Sequence, residues 1–147
     1  MTDLVERWLG IDYGEVRVGV AVSDPLGFTA RGIETIRWNG QDMNKVIFRL
    51  LEIIKQYDVK GAVVGIPRRT DGKAGASEDK ARELAAELES ASGINVVLRD
   101  ERYTTVLASR VMRETNVDRD RRKNIVDQIA AEIILQEYME TRRKGIN

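Results

Sequence analysis

The sequence predicts an α/β chain, a mixed five-stranded sheet flanked by helices. Two observations carry this. Three short apolar segments near the N-terminus are joined by tight turns, which suits an antiparallel meander. The two later strand-like segments alternate with helical ones, which suits parallel pairing through right-handed crossovers. The 147 residues suit one domain, residues 1–147, with a usable core. No internal repeat, low-complexity segment or linker divides them.

The elements follow in order. Trp8–Asp12 (WLGID) is a short apolar strand ending in an acid. Tyr13–Arg17 reads as a turn, with Gly14 free to take positive φ. Val18–Ser23 alternates, placing Val18, Val20 and Val22 on one face and Gly19, Ala21 and Ser23 on the other. Arg31–Trp38 is a third strand after the Asp24-Pro25-Leu26-Gly27 turn. The period then becomes helical over Asp42–Tyr57, with Val46, Ile47, Leu50, Leu51, Ile53 and Ile54 on the buried side. Lys60–Ile66 is almost wholly apolar, as befits a central strand covered on both faces, and Pro67 ends it. A polar loop, Arg68–Ala76, leads to a helix over Ser77–Ser92 that Gly93 stops. Ile94–Arg99 is the fifth strand, and Thr104–Thr115 and Arg119–Arg143 are the last helices.

Composition narrows the chemistry. Apolar residues make up 42% and charged residues 33%, a water-soluble balance. No apolar run approaches the roughly 20 residues that span a bilayer. The N-terminus lacks the basic and apolar regions of a secretory signal, so a cytoplasmic location without membrane attachment is expected. The 24 basic and 24 acidic residues cancel, so any nucleic-acid binding must rest on local clusters. The chain has no cysteine and no histidine. A general base must then be Asp, Glu, Lys, Tyr or a metal-bound hydroxide. Any metal site must be built from oxygen ligands, which suit Mg²⁺ or Mn²⁺.

Three acids could carry such a site. Asp12 ends the first strand, where a carboxylate can point into a crevice; a turn-forming aspartate with a solvated side chain is the alternative. Glu101 follows the fifth strand, in the position where α/β sheets present functional groups, although on local sequence alone a solvated Asp100-Glu101-Arg102 charge cluster is the favoured reading. Asp127 is the sharpest. Helical phase aligns it with Ala130, Ala131 and Ile134, at the inward edge of the last helix. A carboxylate there needs a partner, either a cation or a basic side chain such as Lys123 or an arginine elsewhere. Clustered carboxylates repel, and divalent cations resolve that repulsion. Two ions about 3.5–4 Å apart can activate water and stabilise the leaving oxygen in phosphodiester cleavage. Arg17, Arg68, Arg69, Lys73, Arg102, Arg122 and Lys123 are the candidate phosphate contacts, with solvated surface charge as the alternative. Arg142, Arg143 and Lys144 suit the dipole at a helix C-terminus. Trp8 and Trp38 read as packing residues.

Four segments together resemble one family. LGIDYGEVRVGVAVSD (Leu9–Asp24), VVGIPRRTDG (Val63–Gly72), DERYTT (Asp100–Thr105) and VDQIAAEIILQEY (Val126–Tyr138) stand in the order and spacing of the YqgF family of pre-16S rRNA nucleases, formerly grouped as Holliday-junction-resolvase-like proteins. The resemblance implies an RNase H-like fold with sheet order 3-2-1-4-5 and strand 2 antiparallel. It implies an acidic, metal-binding triad at Asp12, Glu101 and Asp127, and a loop carrying Gly65, Pro67, Asp71 and Gly72. Arg68 and Arg69 depart from the apolar residue and asparagine that relatives often carry after the proline. The implied activity is 5′-end maturation of precursor 16S ribosomal RNA, with nucleic acid as partner, Mg²⁺ or Mn²⁺ as cofactor, and a monomer or weak homodimer. A branched-DNA resolvase is the alternative, and two symmetric cuts would require a dimer. A non-catalytic RNA-binding assembly factor is another. Ile11–Ser23 also resembles the phosphate-binding hairpin of actin- and Hsp70-like ATPases, but those clamp ATP between two duplicated domains.

Overall fold

A computed structural model describes residues 6–66, 75–100, 108 and 119–145. Its elements are β1 (Arg7–Asp12), β2 (Arg17–Ser23), β3 (Ala30–Arg37), α1 (Met43–Tyr57), β4 (Val59–Ile66), α2 (Ala76–Ser92), β5 (Asn95–Asp100) and α3 (Arg119–Arg143). The strands form one sheet in the order β3-β2-β1-β4-β5. β2 runs antiparallel to both its neighbours, and β1, β4 and β5 are parallel. This is the mixed sheet the sequence predicts. Apart from Ala108, which is helical and buried, the helix expected over Thr104–Thr115 lies outside the described residues.

Strand alternation sorts the side chains between two cores. Leu9 and Ile11 of β1 join Val18, Val20 and Val22 of β2 and Ala62 and Val64 of β4 beneath α1 and α2. Trp8, Ala21 and Val63 point the other way and pack with Ala131, Ile134, Leu135 and Met139 of α3. β4 is therefore covered on both faces, which accounts for its apolar sequence. In α1, Met43, Val46, Ile47, Leu50 and Ile53 are buried at helical spacing, with Leu51 and Ile54 packed partly buried beside them.

α3 lies unusually close to the sheet because the strands beneath it present glycines. A β-carbon on Gly10 would fall 2.6 Å from the Ala131 carbonyl oxygen, and one on Gly32 would fall 2.8 Å from Gln128 Cβ. One on Gly19 would strike the backbone carbonyl of Asp127.

Gly93 takes φ 76° and ends α2, as expected. Gly14 differs from expectation: it does not adopt positive φ. A β-carbon there would collide with the Arg17 carbonyl, so the residue is small because the turn folds tightly back on itself. Among the described residues, no helix is long and apolar enough to cross a membrane.

Candidate active site

The site lies at the C-terminal end of β1, on the face covered by α3. Asp12 continues the alternation of Trp8 and Gly10, so it belongs to that face. It is buried, at 9% exposure. Its neighbours across the sheet are Gly19 on β2 and Gly65 on β4. Neither has a side chain, so the carboxylate is flanked by bare backbone on both sides.

Asp127 completes the arrangement from above. A β-carbon on Gly19 would lie 2.9 Å from Asp127 Cβ. Gly19 is the register partner of Asp12, so the two acids occupy the same end and face of the sheet, one strand apart. The helical phase that singles out Asp127 in the sequence is thus realised: Ala130, Ala131 and Ile134 are buried along the same side of α3.

Asp127 is held by Arg17, whose Nε donates to Oδ2 at 2.8 Å. The side chains are 15% and 30% exposed, respectively. Burial pushes the Asp127 carboxyl above its ordinary range, and Arg17, with a smaller contribution from Arg37, pulls it back. Arg17 therefore acts in this structure as the counter-ion of a candidate catalytic acid. Arg37 pairs with Arg17 in the β2–β3 register and donates through Nη2 to Asn124 Oδ1 at 2.9 Å. The sequence reading missed Arg37 and Asn124. Their signal exists only once the hairpin register brings Arg37 beside Arg17.

The β1–β2 turn that carries Asp12 and Arg17 is clamped from outside. Trp38 donates its indole N–H to the Gly14 carbonyl at 2.8 Å and its backbone N–H to the Val16 carbonyl at 2.9 Å. Ser77, at the start of α2, donates to Glu15 Oε1 at 2.6 Å. Tyr13 is buried edge-on against Trp38, and burial, with Glu15 and Glu83 nearby, pushes its hydroxyl up to about 12. Trp38 is thus more than a packing residue.

The structure leaves other expected contacts outside its reach. Glu101 directly follows Asp100, the last residue of β5, and lies outside the described residues, as do Arg68, Arg69, Lys73 and Arg102. Arg122 and Lys123 belong to α3, but their side chains are outside the described part.

Among the described residues no group of three acids stands together as a metal site, but the two acids that converge offer donors of the kind a hard divalent cation takes. They are carboxylate oxygens, at least one of them buried, beside a strip of sheet kept free of side chains, in a chain without histidine or cysteine.

Known proteins share both the fold and the sequence. The Thermus thermophilus resolvase RuvC in complex with a Holliday junction substrate matches with a TM-score of 0.61 over 95% of this chain and 96% of that one, at 17% identity. The yeast mitochondrial Holliday junction resolvase Ydc2 matches with a TM-score of 0.58, covering 95% and 80% of the chains at 12% identity. Curated relatives are closer in sequence. A protein of Acetivibrio thermocellus named "Putative pre-16S rRNA nuclease" is 44% identical over 139 residues, covering 94% of this chain and 98% of its own. One of the same name from Leuconostoc citreum is 44% identical over 135 residues, covering 91% and 94%.

An RNase H-like sheet of this order with these relatives defines the class, a nuclease that hydrolyses phosphodiester bonds. The profile of the family described as "RuvX: Holliday junction resolvase" matches residues 6–141, and the chain belongs to that family.

Proposed function

We propose that this chain is a Mg²⁺- or Mn²⁺-dependent nuclease acting on precursor 16S ribosomal RNA in the cytoplasm, with Asp12, Glu101 and Asp127 as its catalytic, cation-binding acids. The observation that carries the reading is the convergence of Asp12 and Asp127, far apart in sequence, on one end of the sheet across side-chain-free Gly19. The relatives' shared name supports the RNA substrate.

When bound, divalent cations would supply an activated water and charge stabilisation for the leaving oxygen. The chain's own residues do the positioning. Gly19 and Gly65 leave space beside Asp12, while Arg17 orients Asp127 and is proposed as a phosphate contact. Arg68, Arg69, Lys73, Arg102, Arg122 and Lys123 are proposed as further phosphate contacts that set the strand's path.

Cleavage of a 5′-extended 16S RNA fragment, run beside a four-way DNA junction with Mg²⁺ or Mn²⁺, tests this. RNA cleavage that EDTA abolishes is expected. The family's description favours the junction as the second reading. Junction cutting without RNA cleavage would establish that reading and overturn the first.

A further inference from the structure

The β2–β3 turn is built with more care than a connection needs. Asp24 Oδ1 accepts the backbone N–H groups of Phe28 at 2.7 Å and Thr29 at 3.0 Å, and the Asp24 carbonyl accepts Gly27 N–H at 3.0 Å. α3 grips the same turn. Gln136 donates to the Phe28 carbonyl at 2.8 Å and accepts the Ala30 N–H at 3.1 Å, and Arg143 donates to the Gly27 carbonyl at 2.8 Å. Those backbone N–H groups also hold the Asp24 carboxyl below the usual aspartate range. Yet this fixed turn displays Leu26, 59% exposed, and Phe28, 54% exposed. A rigid mount for two exposed apolar side chains is better explained by contact with something than by the turn's own stability.

Two arginines stand beside them. The Arg143 guanidinium lies 5.2 Å from the Phe28 ring centroid, and that of Arg142 lies 4.6 Å from the Trp8 ring. Both guanidiniums are pre-oriented by aromatic faces. Among the described residues, no carboxylate pairs with either. They line a cleft of about 200 Å³ with Glu6, Trp8, Leu26 and Met139, where two positive groups outweigh one negative, and Phe28 adjoins this cleft through Arg143 without lining it. Arg142 and Arg143 stand in the last turn of α3, as expected of residues that suit its dipole, and their guanidiniums also line this cleft.

We propose that this cleft and the Phe28 ring adjoining it are a second contact for the nucleic-acid strand, a single-stranded nucleotide stacking its base on the Phe28 face away from Arg143 and setting its phosphate on Arg142 and Arg143 at the cleft. An exposed aromatic beside guanidiniums is the chemistry that binds unpaired nucleotides without sequence preference. A cleft of about 200 Å³ has room for a phosphate and its sugar. A stable protein interface would need about 800 Å² on each partner. The site rests on the nucleic-acid substrate proposed above and adds a distance to it. Fifteen residues of α3 separate Asp127 from Arg142, about 22 Å at 1.5 Å per residue. A stacked strand would cover that span in roughly six or seven nucleotides at 3.4 Å each.

The test is binding of a 12-nucleotide oligouridylate carrying terminal 4-thiouridine, in EDTA, followed by anisotropy and by mass-spectrometric mapping of the photo-cross-link. A cross-link to the segment holding Phe28 or to Arg142–Arg143 is expected. Phe28→Ala should weaken binding about tenfold, and Phe28→Trp should retain it. Arg142→Gln should lower the slope of log affinity against log salt by about 0.7. Phe48→Ala, which removes a ring 68% exposed on α1, should change nothing. Unchanged affinity in folded Phe28→Ala, or cross-links confined to other segments, would overturn the proposal. So would tighter binding of an added oligoglutamate peptide than of the oligouridylate, which would mark a protein-docking surface. Binding is read here without cleavage, so failure to cut precursor RNA would leave this result standing.

Discussion

Two opposed forces act on Asp127. Burial favours its neutral form, and Arg17 at 2.8 Å favours the carboxylate. Replacing Arg17 with Met leaves burial unopposed except for the smaller influence of Arg37, so the carboxyl should rise further. A carboxyl raised on folding contributes stability that is present below its unfolded value and lost as pH rises through the folded value. Melting curves in EDTA should therefore show Arg17→Met and wild type converging at acidic pH and separating towards neutrality. The variant should become less stable by about 1–2 kcal/mol, the scale of a part-buried, charge-assisted hydrogen bond. A pH-independent difference would contradict this account. Gly19→Ala tests the close approach of α3. Its methyl would meet the Asp127 backbone, which cannot turn aside as a side chain can, so denaturant melts should show a loss of roughly 1–3 kcal/mol. At this scale the sequence revealed Asp127 well, because helical phase reports facing direction. It revealed Arg17 only as a basic neighbour, because its partner lies 110 positions away.

The β1–β2 hairpin is the element on which the site depends. It delivers Asp12 at one strand's end and Arg17 at the next strand's start, and Trp38 pins the turn between them. Trp38→Phe keeps most of the packing and removes the hydrogen bond to Gly14. Chemical denaturation should show a loss of about 1 kcal/mol, and cleavage should fall by more than that stability change explains. Equal cleavage by the variant would make Trp38 a packing residue only. The strands and helices within the described residues were legible to within a residue or so, because alternation and helical periodicity are local signals. β4 was readable as central from its apolar run alone. The tightness of the turn was not: Gly14 was expected to supply positive φ, whereas it supplies room for the Arg17 carbonyl. Steric need of that kind depends on where the chain returns, which a window of sequence does not contain.

Across the whole molecule, two cores on opposite faces of one sheet leave α3 as a long bar over β3, β2 and β1. Its N-terminal half faces the acids, and its C-terminal turn reaches the Leu26–Phe28 tip. Charge balance concealed this organisation, since 24 basic and 24 acidic residues cancel while their placement does not. The sheet order followed from family resemblance and agrees with the structure. The remote cleft was illegible, because it needs the β2–β3 turn and the end of α3 to meet. The central claim is that carboxylates at the end of β1 and on α3 cut the phosphodiester backbone of precursor 16S RNA. The most direct measurement is Mg²⁺- or Mn²⁺-supported cleavage of a 5′-extended 16S RNA fragment by wild type and Asp12→Asn, with melting temperatures taken alongside. Wild type should cut, and the variant should lose at least about 100-fold in rate, on the scale of losing one charge-stabilising group, while remaining folded. Normal cleavage by a folded Asp12→Asn protein, or none by wild type, would contradict the account.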